Sequence, residues 1–416
     1  MALEPRSGIN PLTIIFLKIW VMGMAGIPIA YLIDRAGYKQ QFALKLNDER
    51  FIGMAFVFLL YAVLIMTIGY YGLGFKRKIL TYMKCPMVPI SGTKLERIWL
   101  ITFFLSALCF LVVFIQVGGQ HPALQALRSD YPAIKILRRE ISQSINMNVF
   151  NLGFKLFLPF NLVVALFFLR KRRIFLIFSM ILFIIMSTFL LEKSQVITFI
   201  FLVIFFRMLI SPIHFKNVVL YILIGLILLS SMYFLTRFAS NFSELGTNLT
   251  NRIMYGEISD LPVYLECFDV QKASVSSMLP PYLSELFGDK EAKSAARLVI
   301  ESINPTAVSL GTAGVANTFF VGEAYAVAGL LGVILSPFLV LANLGVLIFL
   351  FSKIEKSIGI VFLFAWFLFK MFEGIFGGIS YFVVSGIQLV LLALIYFLLI
   401  RAFARLSKRI REGSSA

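Results

Sequence analysis

The sequence is poor in the residues that soluble chemistry and metal binding draw on. Only 14% of its 416 residues are charged, against about 25% in an average soluble domain. There are three cysteines, and Cys85, Cys109 and Cys267 are too scattered for a disulfide framework or a metal-binding spacing. The two histidines, His121 and His214, are also far apart, which leaves no recognisable zinc or iron ligand set. No internal repeat is evident, and neither are two matched halves with broken segments, the pattern that marks many transporters. The first apolar run lacks a small-residue cleavage site and reads as a retained span.

What the chain has is apolar surface. Hydrophobic residues make up 60% of it and its mean hydropathy is +0.91. These values predict an all-α polytopic membrane protein, with residues 1–416 forming a single integral membrane domain. A closed barrel would show short alternating segments instead. A span needs about 20 apolar residues. Ten runs qualify, at roughly 11–33, 51–73, 98–118, 148–169, 174–191, 195–211, 217–236, 324–351, 358–372 and 380–400. With the N-terminus inside, the densest basic clusters ("KRK", "RKRR" and the tail after residue 400) all fall on the inner side, as the positive-inside rule requires. Both termini are then cytoplasmic, and most of the +17 net charge is anchoring rather than chemistry.

This topology leaves two outer loops, 119–147 and 237–323. Within the second, Ala292, Ala295, Ala296, Val299, Ile300 and Ile303 recur at helical spacing, with Lys290, Lys293, Arg297 and Glu301 on the opposite face. The pattern predicts an amphipathic helix over 289–303, capped by Asp289, ended by "NP" at 304–305, and able to lie on the outer leaflet.

Basic residues on the outer side call for a separate reason, because orientation does not require them. They are Arg138 and Arg139 beside Glu140, Lys193 in "EKSQ", Arg237 just past a span, Arg252 in "TNRIMYG", and Arg297 on the amphipathic helix. Lys155 lies within a span with Asn151 one turn away, and an ionisable group in hydrocarbon is a functional candidate by default. As a set these cations suit phosphate oxygens, arginine as a planar fork and lysine as a point charge. Taken singly, Lys155 also suits snorkelling, Arg138 and Arg139 pairing with Glu140 or lipid phosphate, and Arg297 a solvated helix face.

One acid stands out. Glu323 lies in "NTFFVGEAYAVAG" near the start of a span, after the small, flexible "SLGTAGVANT" with Asn317 or Thr318 as a helix cap. An acid at a helix N-terminus is favoured by about 0.3–1 kcal/mol for structural reasons alone. It also suits a general base, or an anchor for a catalytic arginine. Glu257, Asp260, Glu266 and Asp269 are further acids of the same loop.

On "FFVGEAYAVAGLLG" (319–332), on the arginine early in the large loop ("TNRIMYG") and, loosely, on Lys193–Ser194 in "EKSQVITFIF", the chain resembles the Wzy-type O-antigen polymerases, a group of bacterial oligosaccharide repeat-unit polymerases. The likeness spans most of the chain by architecture and short stretches by residue. It implies a GT-C-like, lipid-donor glycosyltransferase of 10–12 spans in the bacterial inner membrane, with a periplasmic active site. Expected substrates are undecaprenyl-diphosphate-linked oligosaccharides, and the growing glycan moves onto a new lipid-linked repeat as the diphosphate leaves. Glu323 and Arg252 become the catalytic candidates. Arg138, Arg139, Lys155, Lys193, Arg237, Arg297 and Tyr325 are candidates for binding the diphosphate and glycan. The reaction then needs no cofactor and no metal, and the partners are the lipid-linked oligosaccharide, the bilayer and a chain-length regulator protein, with no nucleic acid. One family motif is missing: none of Arg138, Arg139, Arg237, Arg252 or Arg297 has glycine eleven positions on, so a mechanism built on that motif does not transfer.

Three rivals remain open at this level. An O-antigen ligase shares the donor but usually carries a histidine in the large outer loop, and 237–323 has none. A lipid-linked oligosaccharide flippase would show repeat symmetry and short loops. A non-catalytic scaffold would keep partner binding when the outer arginines are substituted.

Overall fold

The computed structural model describes residues 10–21, 26–35, 46–126, 131–190, 194–211, 213, 215–235, 241–246, 258–279, 293–309, 316, 318–385. Among them the protein is all-helical, with no β-strand. The principal helices are α1 (Pro11–Trp20), α2 (Ile27–Arg35), α3 (Arg50–Gly72), α4 (Phe75–Lys84), α5 (Gly92–Gln116), α6 (Tyr131–Ser144) and α7 (Met147–Phe167). They continue as α8 (Arg173–Phe189), α9 (Ser194–Ile210), α10 (Phe215–Leu235), α11 (Leu261–Cys267), α12 (Ala295–Ile303), α13 (Phe320–Ser352) and α14 (Ile358–Ile375). Five of them, α3, α5, α7, α13 and α14, are long and apolar enough to cross a membrane. Four shorter apolar helices fall where further spans are predicted, at Pro11–Trp20, Arg173–Phe189, Val196–Ile210 and Lys216–Ser231. By length and composition this is a membrane-embedded protein.

The chain divides into two compact units. The first comprises 1–11, 86–250 and 356–369. Its polar centre is Asn161 of α7, which is fully buried. The Asn161 amide donates to the Trp99 carbonyl at 2.7 Å and to Thr102 Oγ1 at 3.1 Å, and its oxygen accepts from Ser179 Oγ at 2.5 Å. Trp99 Nε1 in turn donates to Ser179 Oγ at 2.9 Å. Lipid tails are as apolar as the helices, so burial alone does not hold membrane helices together; close packing and such hydrogen bonds do. The network ties α5, α7 and α8. Around it, Phe150, Phe154, Phe183 and Phe189 form an apolar core with Met186 and Leu182. α7 opens on an Asn146 cap, whose side chain accepts from the Asn148 and Val149 backbones, and widens to a π-helix over Leu152–Phe157.

The second unit comprises 12–85, 251–355 and 370–416. α3 and α13 lie side by side along their length. Tyr61 Oη donates to the Ile334 carbonyl at 3.0 Å, Gly69 presses against Leu341, and Gly345 against Phe75. α1 docks on α3 through Phe16 stacked on Tyr70 at 4.5 Å and Trp20 Nε1 donating to Thr67 Oγ1 at 3.0 Å. The Lys18 ammonium sits 4.4 Å from the Phe372 ring centre and 4.1 Å from that of Phe376.

The run predicted as a plain span at 324–351 folds differently. α13 is broken at Gly329, whose φ of 58° and ψ of −142° suit glycine and almost nothing else. A methyl on Gly332 would collide with the Ala324 carbonyl. In a straight helix those two positions lie about 12 Å apart along the axis. Phe320 packs on Phe382 at 6.2 Å, and the Phe382 carbonyl is 3.4 Å from Asn343 Nδ2, so the start of α13 reaches the level of its middle. Residues 320–328 therefore turn back along 330–352. Thirty-three residues in one rod would measure about 50 Å against a hydrocarbon core of about 30 Å. The fold-back leaves a rod of about 35 Å.

The amphipathic helix also starts later than predicted. Lys293 and Ser294 are not helical; α12 begins at Ala295 because the Ser294 side chain accepts from Arg297 N at 3.2 Å and takes the cap. Asp289 lies outside the described residues. The helix ends at Asn304–Pro305 as predicted. Ala295 and Val299 on its apolar face are fully buried, with α12 against α11 and α13. Its amphipathicity is thus at least partly used for packing on protein.

Candidate functional site

Glu323 lies on the back-folded helix of the second unit and is 5% exposed. Its Oε2 accepts the backbone N–H of Ser380 at 2.7 Å. Gly378, at φ +122°, comes so close that a Cβ there would strike the carboxylate. The chain after α14 is therefore shaped around this acid, and only glycine at 378 permits the approach. The helix cap falls on Phe319 with no side-chain hydrogen bond, rather than on Thr318; Asn317 is outside the described residues. Thr318 is itself buried and lies against Gly322.

Tyr325, two residues on, points elsewhere. Its hydroxyl donates to Asp269 Oδ1 at 3.2 Å, and Asp269 Oδ2 is 2.9 Å from Arg50 Nη2. Arg50 Nε is 2.8 Å from Asp48 Oδ2. The Lys272 ammonium lies 3.9 Å from the Tyr325 ring centre and donates to the Phe268 carbonyl. Glu266 Oε1 accepts the backbone N–H groups of Asn47 and Asp48 at 2.8 and 2.9 Å. The Ala273 N–H bonds the Ala326 carbonyl at 2.7 Å. Together these contacts tie the segment after α11 to the back-folded helix and to the start of α3.

A third group of polar residues sits under α11. Ser259, Asp260, Tyr264 and Thr318 are all buried, and Tyr264 Oη donates to the Ala316 carbonyl at 3.2 Å. Burial pushes the Tyr264 phenol well above its ordinary range, and the charges of Glu323 and Asp260 push it further. An apolar cavity of about 140 Å³ opens between the two legs of α13. Ala324, Val327 and Ala328 line one wall, and Gly332, Leu335 and Leu339 the other.

The predicted site residues distribute as follows. Glu323, Tyr325 and Arg297 belong to the second unit, with Glu323 and Tyr325 on one short helix. Arg297 pairs with Glu301 at 3.1 Å, and Lys293 reaches the same carboxylate at 2.8 Å. Lys293 and Arg297 hold the Glu301 carboxyl below its usual range. Arg138, Arg139 and Lys155 belong to the first unit, where Lys155 lies half-buried in the π-helix of α7. Arg252, Lys193 and Arg237 lie outside the described residues. The ion-paired chain of Asp48, Arg50 and Asp269 is not apparent in the sequence, because Arg50 and Asp269 are separated by 219 positions. No protein-family model matches the chain, and no curated protein and no solved structure matches it either.

Proposed function

We propose that this protein is a membrane glycosyltransferase of the O-antigen polymerase kind, acting on undecaprenyl-diphosphate-linked repeat units at the periplasmic face of the bacterial inner membrane. The observation that carries the reading is Glu323. A carboxylate buried among apolar helices is costly to keep, yet here the backbone turns back on itself to hold one and the glycine at 378 makes room for it. The apolar cavity beside Ala324 is suited to a hydrocarbon chain. The cations of the large loop, Arg252 among them, suit a departing diphosphate, whose charge must be stabilised as the glycosidic C–O bond breaks. The acceptor hydroxyl attacks the sugar carbon, its proton passes to a carboxylate, and the diphosphate leaves on its lipid. Both termini are then cytoplasmic.

The test is polymerisation by the purified protein in detergent, with chelator present and a lipid-diphosphate-linked repeat unit as the only substrate. A ladder of longer glycans is expected, with Arg252→Ala and Glu323→Gln each lowering turnover about 10²–10⁴-fold. No ladder from folded native protein with intact substrate would refute the reading. A single transfer to a lipid A–core acceptor would mark a ligase instead.

A further inference from the structure

The cavity between the two legs of α13 has a cation at one end. Residues 268–279 run as a strap along the back-folded helix, tied to it where the Ala273 N–H bonds the Ala326 carbonyl at 2.7 Å. Further along the strap, Met278 lines the cavity with Ala328 and Gly332. Before that tie, the Lys272 side chain reaches the bend at Gly329, where its Nζ stands 3.8 Å from the place a Cβ would take. Ala328, the residue before the bend, belongs to the cavity wall, so the ammonium stands at the mouth of an apolar slot. Lys272 is exposed; it donates to the Phe268 carbonyl and lies 3.9 Å from the Tyr325 ring centre. On either side of it along the strap, Val270 is 96% exposed and Val275 64%, an apolar margin that contact with lipid would cover. The slot itself is open, because Ala328 and Leu335 on its opposite walls are both exposed. Its volume of about 140 Å³ is well under the ~300–1,000 Å³ of pockets that enclose a small molecule. It therefore holds a stretch of one hydrocarbon chain rather than a whole ligand.

We propose that this is a binding site for one phospholipid with a singly charged phosphodiester headgroup: an acyl chain enters the slot between the legs of α13, and the phosphate rests on Lys272. The slot accepts a hydrocarbon chain from any lipid, so the charged end makes the choice. A phosphodiester carries one negative charge and a lipid-linked diphosphate carries two. Lys272 offers one compact positive charge. The next cation, Arg50, is already paired with Asp269 and Asp48. Asp269 accepts from the hydroxyl of the same Tyr325 whose ring Lys272 covers, and Glu266 adds a further acid on the Asn47 and Asp48 N–H groups. A second phosphate charge would face these carboxylates with no cation of its own. Lysine and tyrosine at the rim with apolar walls beneath match the step from headgroups to hydrocarbon. The bound chain would fill the gap between the legs and brace the fold-back. The site does not depend on the glycosyltransferase reading.

The test is photolabelling of the full chain in detergent. Phosphatidylglycerol with a diazirine in one acyl chain is added, the sample is irradiated, and the labelled residues are located by mass spectrometry. Label is expected on Met278, Ala328 and Leu335 in excess of that on Val57 and Ile68, which are exposed on α3 but do not line the cavity. Unlabelled phosphatidylglycerol is expected to compete, and undecaprenyl diphosphate to compete only at higher concentration. Lys272→Gln should lower the cavity labelling about fivefold, the worth of one lysine beside a phosphate surface, and Lys272→Arg should keep most of it. Label no greater in the cavity than on Val57 and Ile68 would overturn the site. Undiminished labelling of Lys272→Gln would overturn the headgroup contact. Displacement by undecaprenyl diphosphate at lower concentration than by phosphatidylglycerol would give the slot to a prenyl diphosphate and overturn the choice of lipid. Should Lys272→Gln fail to fold, the competition on native protein decides alone. No arm reads glycan transfer, so a missing ladder refutes the enzyme without touching this site, and a ladder would not rescue it.

Discussion

The fold-back of α13 turns on one residue, and replacing Gly329 with alanine tests it directly. At φ 58° and ψ −142° the backbone lies in a region that residues with a Cβ occupy at a cost of about 1–3 kcal/mol. The space itself is open enough: the nearest atom to an added methyl is Lys272 Cε at 3.3 Å, the end of a flexible side chain that can give way. The penalty is therefore backbone strain, and it applies to the folded-back form alone. A shift of this size moves the balance toward a straightened helix by about 5–150-fold. The readout is a cysteine pair, Ala324→Cys with Ser336→Cys, challenged with a short bifunctional thiol reagent. Both positions line the same cavity, whereas a straight helix would hold them about 18 Å apart. Strong cross-linking is expected with Gly329 in place, and clearly weaker cross-linking with Gly329→Ala. Equal yields in the two backgrounds would refute the role of Gly329. Absence of cross-linking with Gly329 present would refute the fold-back itself.

Other changes have definite expectations. Asn161→Ala removes the centre of the α5–α7–α8 network and leaves the partners of its amide and carbonyl unmet, for a loss of about 1–3 kcal/mol in detergent-titrated unfolding; Asn161→Ala combined with Ser179→Ala should cost less than the sum, because the pair shares a bond. Gly378→Ala drives a methyl into the Glu323 carboxylate and should lower thermal stability measurably, while the same change in a Glu323→Ala background should lower it less, leaving only the strain at φ +122°. The Arg50–Asp269 pair is largely solvent-exposed on the arginine side, at 62%, so Arg50→Ala should cost no more than about 1 kcal/mol by thermal unfolding. A larger loss would mean that the chain from Asp48 to Tyr325 acts as one unit.

The helices were legible in the sequence because apolar runs of membrane length leave few alternatives. The boundaries predicted at 51–73, 174–191 and 195–211 fall within two residues of the helices observed. The Asn304–Pro305 stop behaved as proline chemistry requires. What escaped was tertiary. In 324–351 nearly every residue is apolar, so hydrophobic patterning has no phase there that could reveal a reversal of direction. The available signal was length: 28 residues already exceed what about 30 Å of hydrocarbon needs, and Gly329 marks where the excess turns back. Asp289, the cap suggested by residue type, lies outside the described residues; Ser294 stands three residues before Arg297 N and directly before the buried Ala295, and its side chain caps the helix.

Glu323 shows the same division between local and tertiary information most clearly. Its presence at the edge of an apolar run was visible as an oddity of sequence, and both a helix-end acid and a base were compatible with that. The helix-end reading does not describe its bonding. The carboxylate does not serve the first turn of its own helix; it bonds the N–H of Ser380, 57 positions away. No spacing within the chain encodes that contact, although "FEGIFGGIS" carries the glycine that permits it. One carboxylate oxygen is thus already engaged by backbone in the resting protein, which fixes the orientation of the acid at the wall formed by the chain after α14.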